Sequence, residues 1–76
     1  MSLKVEGNIG STVVALPEGM SGTQLEVQLN QRIGRTAVKP LNGGRAEVSV
    51  RLDTTGSKTT LDILNVLTDE LGCREI

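Results

Sequence analysis

Not one of the 76 residues is Phe, Tyr or Trp, and that absence limits the fold before any pattern is read. Aromatic side chains bury roughly 150–250 Å² each and dominate small cores. The interior of this chain therefore has to be built from Leu, Val and Ile. A chain of this length buries only about 60% of the surface that its unfolded form exposes. One domain over residues 1–76 is the expected organisation. A homo-oligomer is expected to supply the burial that an aliphatic core lacks, with a monomer that is poorly folded alone.

The hydrophobic period predicts an α+β domain, an antiparallel β-meander of about five strands with one C-terminal amphipathic helix packed on its apolar face. Leu3 and Val5 alternate with Lys4 and Glu6, which reads as a strand over about 2–6. The β-branched run TVVAL suggests a more central strand over 12–16. Residues 24–31 carry two signals. Thr23 and Glu26 have the spacing of a capping box, which would open a helix. Against that, Leu25, Val27 and Leu29 alternate with Gln24, Glu26, Gln28 and Asn30, and on this period-2 match the segment is read as a strand.

Asn42-Gly43-Gly44 suits a three-residue hairpin loop between strands over 36–41 and 45–52. That loop sets a register in which Leu41 faces Arg45, Lys39 faces Glu47, Val38 faces Val48 and Thr36 faces Val50. A faint repeat, VALPEGMSGTQLEV against AVKPLNGGRAEV, would fit two successive hairpins. From Thr60 the period becomes helical. Ile63, Leu64, Leu67 and Leu71, widened by Leu61 and Val66, form a stripe over 60–71, with Thr59 as N-cap, Asp62 at N3 and Gly72 after the end. Cys73 to Ile76 would add a short edge strand or fray.

Composition narrows the chemistry. With no His and a single Cys, neither an intramolecular disulfide nor the usual Cys and His zinc site can be assembled. General acid–base work would fall to a carboxylate or a Lys, and Cys73 has no imidazole to activate it. The expectation is a non-catalytic protein without cofactor or metal. No long apolar run and no leader-like N-terminus is present, so the chain is expected in the cytoplasm and away from membranes.

The net charge of −1 hides a basic middle, Arg32, Arg35, Lys39, Arg45, Arg51 and Lys58 against Glu47 and Asp53. The hairpin register sets Arg35 opposite Arg51. If 24–31 joins 36–41 through a tight turn at Ile33-Gly34, Arg32 also falls opposite Arg35. Like charges so opposed destabilise a sheet unless an anion relieves them. The stretch DTTGSKTTLDIL superficially resembles a phosphate loop but lacks its G-x-x-x-x-G-K-[ST] spacing. What remains is a helix entrance flanked by Ser57, Lys58, Thr59 and Thr60.

The expected ligand-binding residues are thus Arg32, Arg35, Arg51, Ser57, Lys58, Thr59 and Thr60. Their expected partner is a phosphate-bearing small molecule such as a nucleotide. Nucleic acid is disfavoured by the acidic balance and the absence of stacking platforms. The rival expectation is a structural or adaptor subunit that self-assembles or docks on a larger protein through complementary charge.

Overall fold

Two hairpins, each followed by a helix, account for the chain. The computed structural model describes residues 3–75, so the Ser2 end of the first expected strand and Ile76 lie outside the described residues. Strands β1 (Lys4–Glu6) and β2 (Ile9–Ala15) join through Gly7-Asn8, with Glu6 opposite Ile9. Helix α1 (Gly22–Arg32) follows, then strands β3 (Thr36–Leu41) and β4 (Arg45–Arg51). A 3₁₀ turn (Leu52–Thr54) leads to helix α2 (Thr60–Asn65), which widens into a π turn (Val66–Glu70) before the two-residue strand β5 (Arg74–Glu75).

The class is α+β with an antiparallel sheet, but the sheet is not a meander. Its order is β1-β2-β4-β3, with β5 pairing β2 beside the end of β1. β4 therefore lies between β2 and β3, and α1 carries the chain across it.

Residues 24–31 are helical, which overturns the strand expected there. The side chain of Ser21 accepts from the Gln24 N–H while Gln24 Oε1 accepts from the Ser21 N–H, a capping box two residues upstream of the one suggested by Thr23 and Glu26. Leu25, Leu29 and Ile33 then repeat at four-residue intervals on one buried face, whereas Val27 is half exposed. Alternation between Leu25 and Leu29 misled because an i, i+4 helical pair is also an even spacing. The faint repeat consequently pairs a strand–loop–helix with a hairpin, and two successive hairpins do not occur.

The second hairpin has the expected register, with Leu41 opposite Arg45, Lys39 opposite Glu47, Val38 opposite Val48 and Thr36 opposite Val50. Gly43 and Gly44 both take positive φ in its loop, which only glycine adopts without strain. Leu52, expected to end the last strand, begins the 3₁₀ turn, and β2 starts three residues earlier than its expected counterpart.

The C-terminal helix is capped as expected. Thr59 Oγ1 accepts from the Asp62 N–H and Asp62 Oδ2 accepts from the Thr59 N–H. It is not one continuous α-helix: the Leu71 N–H donates to the Val66 carbonyl at 3.0 Å, an i+5 bond that holds one extra residue in the last turn. Ile63, Val66, Leu67 and Leu71 are buried, while Leu61, expected to widen the stripe, is 64% exposed.

Both helices supply apolar side chains to one core. Val14, Ala46, Val48 and Val50 point inward from the strands to meet Leu25, Leu29 and Ile33 from α1 and Ile63, Val66 and Leu67 from α2. Among the described residues no buried side-chain polar atom lacks a partner. Among the described residues no element covers the opposite face of the sheet.

Candidate functional site

Strand alternation decides which side chains reach the uncovered face. Because Ala46, Val48 and Val50 are buried, Arg45, Glu47, Ser49 and Arg51 project outward from β4. Their partners across the sheet do likewise. One row holds Glu6, Ile9, Arg51 and Arg35; the next holds Lys4, Ser11, Ser49 and Ala37; then come Val13, Glu47 and Lys39, and finally Arg74, Ala15, Arg45 and Leu41.

Six of the eight Lys and Arg residues thus share this face: Lys4, Arg35, Lys39, Arg45, Arg51 and Arg74. Among the described side chains Glu6 and Glu47 oppose them on the strands and Asp53 meets Arg51 from the 3₁₀ turn, a net +3 on a chain whose total is −1. Most acidic side chains, including Glu18, Glu26, Asp62, Asp69 and Glu70, belong to the helices and the loop before α1.

Arg35 and Arg51 oppose each other as the hairpin register required, the Arg51 N–H donating to the Arg35 carbonyl at 2.9 Å. The Thr54 hydroxyl fixes the pair from behind, accepting from the Arg35 N–H at 2.9 Å and donating to the Arg51 carbonyl at 2.8 Å. Thr54 was invisible as a site residue in the sequence because the 3₁₀ turn that folds it back is set by tertiary packing. Arg35 and Arg51, with Ile9, Asn30, Thr36, Ala37 and Ser49, line a shallow depression of about 440 Å³. Arg51 is partly neutralised by Asp53, with Nη2 3.2 Å from Oδ2.

The third arginine does not join them. Since 24–31 is helical, Arg32 ends α1 on the covered side of the sheet, where it lies 3.9 Å from Glu70. Nor do the residues at the entrance to α2 form an anion site. Thr59 and Asp62 satisfy each other's backbone N–H groups, so a carboxylate already stands where an anion would sit. The Lys58 N–H donates to the Thr55 carbonyl, and Ser57, Lys58 and Thr60 are exposed. Of the seven residues expected to bind ligand, the structure brings together two, Arg35 and Arg51.

Sequence reasoning passed over Lys4, Lys39, Arg45 and Arg74. The signal was present for β4, where Arg45, Glu47, Ser49 and Arg51 are spaced by two, but β1 and β5 join the same face only through long-range pairing. Cys73 is buried on the core side, and burial pushes its thiol above the ordinary value. No described helix is long and apolar enough to cross a membrane. No protein-family model matches the chain, and no curated protein or solved structure is matched by it.

Proposed function

We propose that this is a non-catalytic adaptor, a small binding subunit that docks on an anionic partner through the open face of its sheet. The segregation of charge supports this reading: six cations against three carboxylates on a face that no other described element covers. Complementary potentials of this kind steer encounter and fix orientation. In this reading the protein works in the cytoplasm, where its single buried thiol stays reduced. Any self-association uses the remaining surface, because two faces of net +3 repel each other.

Cation-exchange chromatography at neutral pH and low salt tests the proposal. A chain with a sequence pI near 5.3 should flow through unless its cations are concentrated on one face. Retention is the expected result. Arg45→Gln with Arg74→Gln should abolish it, whereas Arg32→Gln with Lys58→Gln, an equal change in net charge, should not. Wild-type protein in the flow-through would overturn the reading.

A second reading, a binder of a phosphate-bearing small molecule such as a nucleotide, is favoured by the opposed Arg35 and Arg51 over their shared depression. It predicts that phosphate or a mononucleotide at millimolar concentration raises the melting temperature of wild type but not of Arg35→Gln.

A further inference from the structure

The two edges of the sheet differ in what meets them. On β3 the outward N–H groups of Thr36 and Val38 donate to Asn30 Oδ1 and Glu26 Oε1, and Pro40 has none. On β1, at the other edge, no described element pairs with the outer side. Glu6 and Ile9 flank the two-residue turn at Gly7-Asn8, so they exchange backbone bonds, as do Lys4 and Ser11 two places on. The Lys4 carbonyl also lies 3.5 Å from Ser11 Oγ, on the β2 side. Val5, between them, therefore turns both its N–H and its C=O to the open edge. Its side chain stands on the helix side of the sheet, in the row of Gly10 and the buried Val50, yet it is 50% exposed.

We infer that β1 is the seam of a two-fold homodimer, in which it pairs antiparallel with β1 of a second copy in a register centred on Val5. The charges choose both the partner and the register. An edge that carries Lys4 and Glu6 repels a strand with like charge at either place. Turned about Val5, the same strand sets Lys4 opposite Glu6 of the partner subunit, and Glu6 opposite Lys4 of the partner subunit. Centring on Lys4 or on Glu6 would instead oppose like charges.

The Val5-centred register is also the one that the backbone can bond. Val5 exchanges N–H···O=C bonds with Val5 of the partner subunit, and the two charged pairs fall at the flanking non-bonded positions, where side chains approach most closely. On the helix side the two half-exposed valines cover each other, which adds apolar burial to a small chain without aromatic residues. One sheet then runs through both copies, and the two cationic faces lie side by side on it instead of against each other. The inference is independent of the adaptor reading.

Sedimentation of the intact protein at micromolar concentration should show a dimer. Lys4→Glu and Glu6→Lys each oppose like charges twice across the seam, and each should weaken the dimer about tenfold or more. Mixed in equal amounts, the two variants should pair with each other, because each supplies the charge that the other lacks. Both positions are exposed, so the variants keep the fold. Val5→Pro removes the N–H that the seam uses and leaves the bonds to β2, and should give a folded monomer. If Val5→Pro fails to fold, the charge variants decide alone. Arg45→Gln with Arg74→Gln should leave the dimer intact.

Three results would overturn the inference: a wild type that stays monomeric, a dimer that ignores both charge variants, or charge variants that fail to pair on mixing. Retention on the cation exchanger is a separate readout, so a monomer that is retained leaves the adaptor reading standing.

Discussion

Asn30 closes the outer edge of the sheet by bonding both backbone groups of Thr36. Its Nδ2 donates to the Thr36 carbonyl at 3.0 Å and its Oδ1 accepts from the Thr36 N–H at 3.1 Å. One turn earlier, Glu26 Oε1 accepts from the Val38 N–H at 3.0 Å, and Pro40 has no N–H to offer. All the N–H groups that β3 turns away from β4 are thereby occupied or absent. An unpaired edge strand is a template for aggregation, and here a helix side chain, a carboxylate and a proline blunt it.

Asn30→Ala should therefore cost about 1–3 kcal/mol, because the half-buried groups of Thr36 lose their partner. Combined with Glu26→Ala it should also open the edge to strand pairing. Urea titration measures the first effect, and light scattering near the melting temperature measures the second. A double variant that stays monodisperse on heating would show that the edge needs no such cover.

Arg35→Gln should leave stability unchanged or raise it slightly. The Arg35 guanidinium has no ion-pair partner among the described residues and opposes Arg51 directly. Denaturation at low and high salt checks the sign, since any gain must shrink as salt screens the repulsion. A loss of stability would mean that Arg35 makes a supporting contact.

The C-terminal helix separates its leucines sharply. Leu67→Asp places a charge at a fully buried position and should prevent folding, at a cost of several kcal/mol against a total of about 5–15. Leu61→Asp, on a side chain that is mostly exposed, should be nearly neutral, as should Asn65→Asp. Circular dichroism melts of the three variants decide whether the stripe is the one drawn here.

Gly34 allows the 3₁₀ turn to approach the end of α1. A Cβ at this position would stand 2.7 Å from the Thr54 carbonyl oxygen, and that oxygen belongs to backbone, which cannot swing away. Gly34→Ala should destabilise the fold by about 1–3 kcal/mol. It should also loosen the Thr54 bridge behind Arg35 and Arg51, which amide exchange at Arg35 would report.

Cys73 supplies a pH dependence whose sign follows from its burial. The folded state raises the thiol above its ordinary 9.0, so it favours the neutral form. The corresponding stability is present below that value and is lost as pH rises past it toward the folded pKa. Urea midpoints at about pH 8 and about pH 10 should fall further for wild type than for Cys73→Val. Equal losses would show that the alkaline decline comes from other groups.

What the sequence determined by itself was local. The β3–β4 register, the Thr59 cap and the Ile63–Leu67 stripe follow from turn chemistry and from periods within a few residues, and those forces act before the chain is packed. Only the tertiary structure decided that residues 24–31 are helical, because their apolar spacing satisfies both periods and the choice falls to what Leu25, Leu29, Glu26 and Asn30 meet across the sheet. The candidate site was settled in the same way. Arg35 and Arg51 were legible as a pair because one hairpin holds them, whereas Lys4 and Arg74 reach the same face through pairings between distant parts of the chain. Arg32, adjacent in sequence to the pair, is carried to the other side because a helix turns it through an angle that no strand register contains.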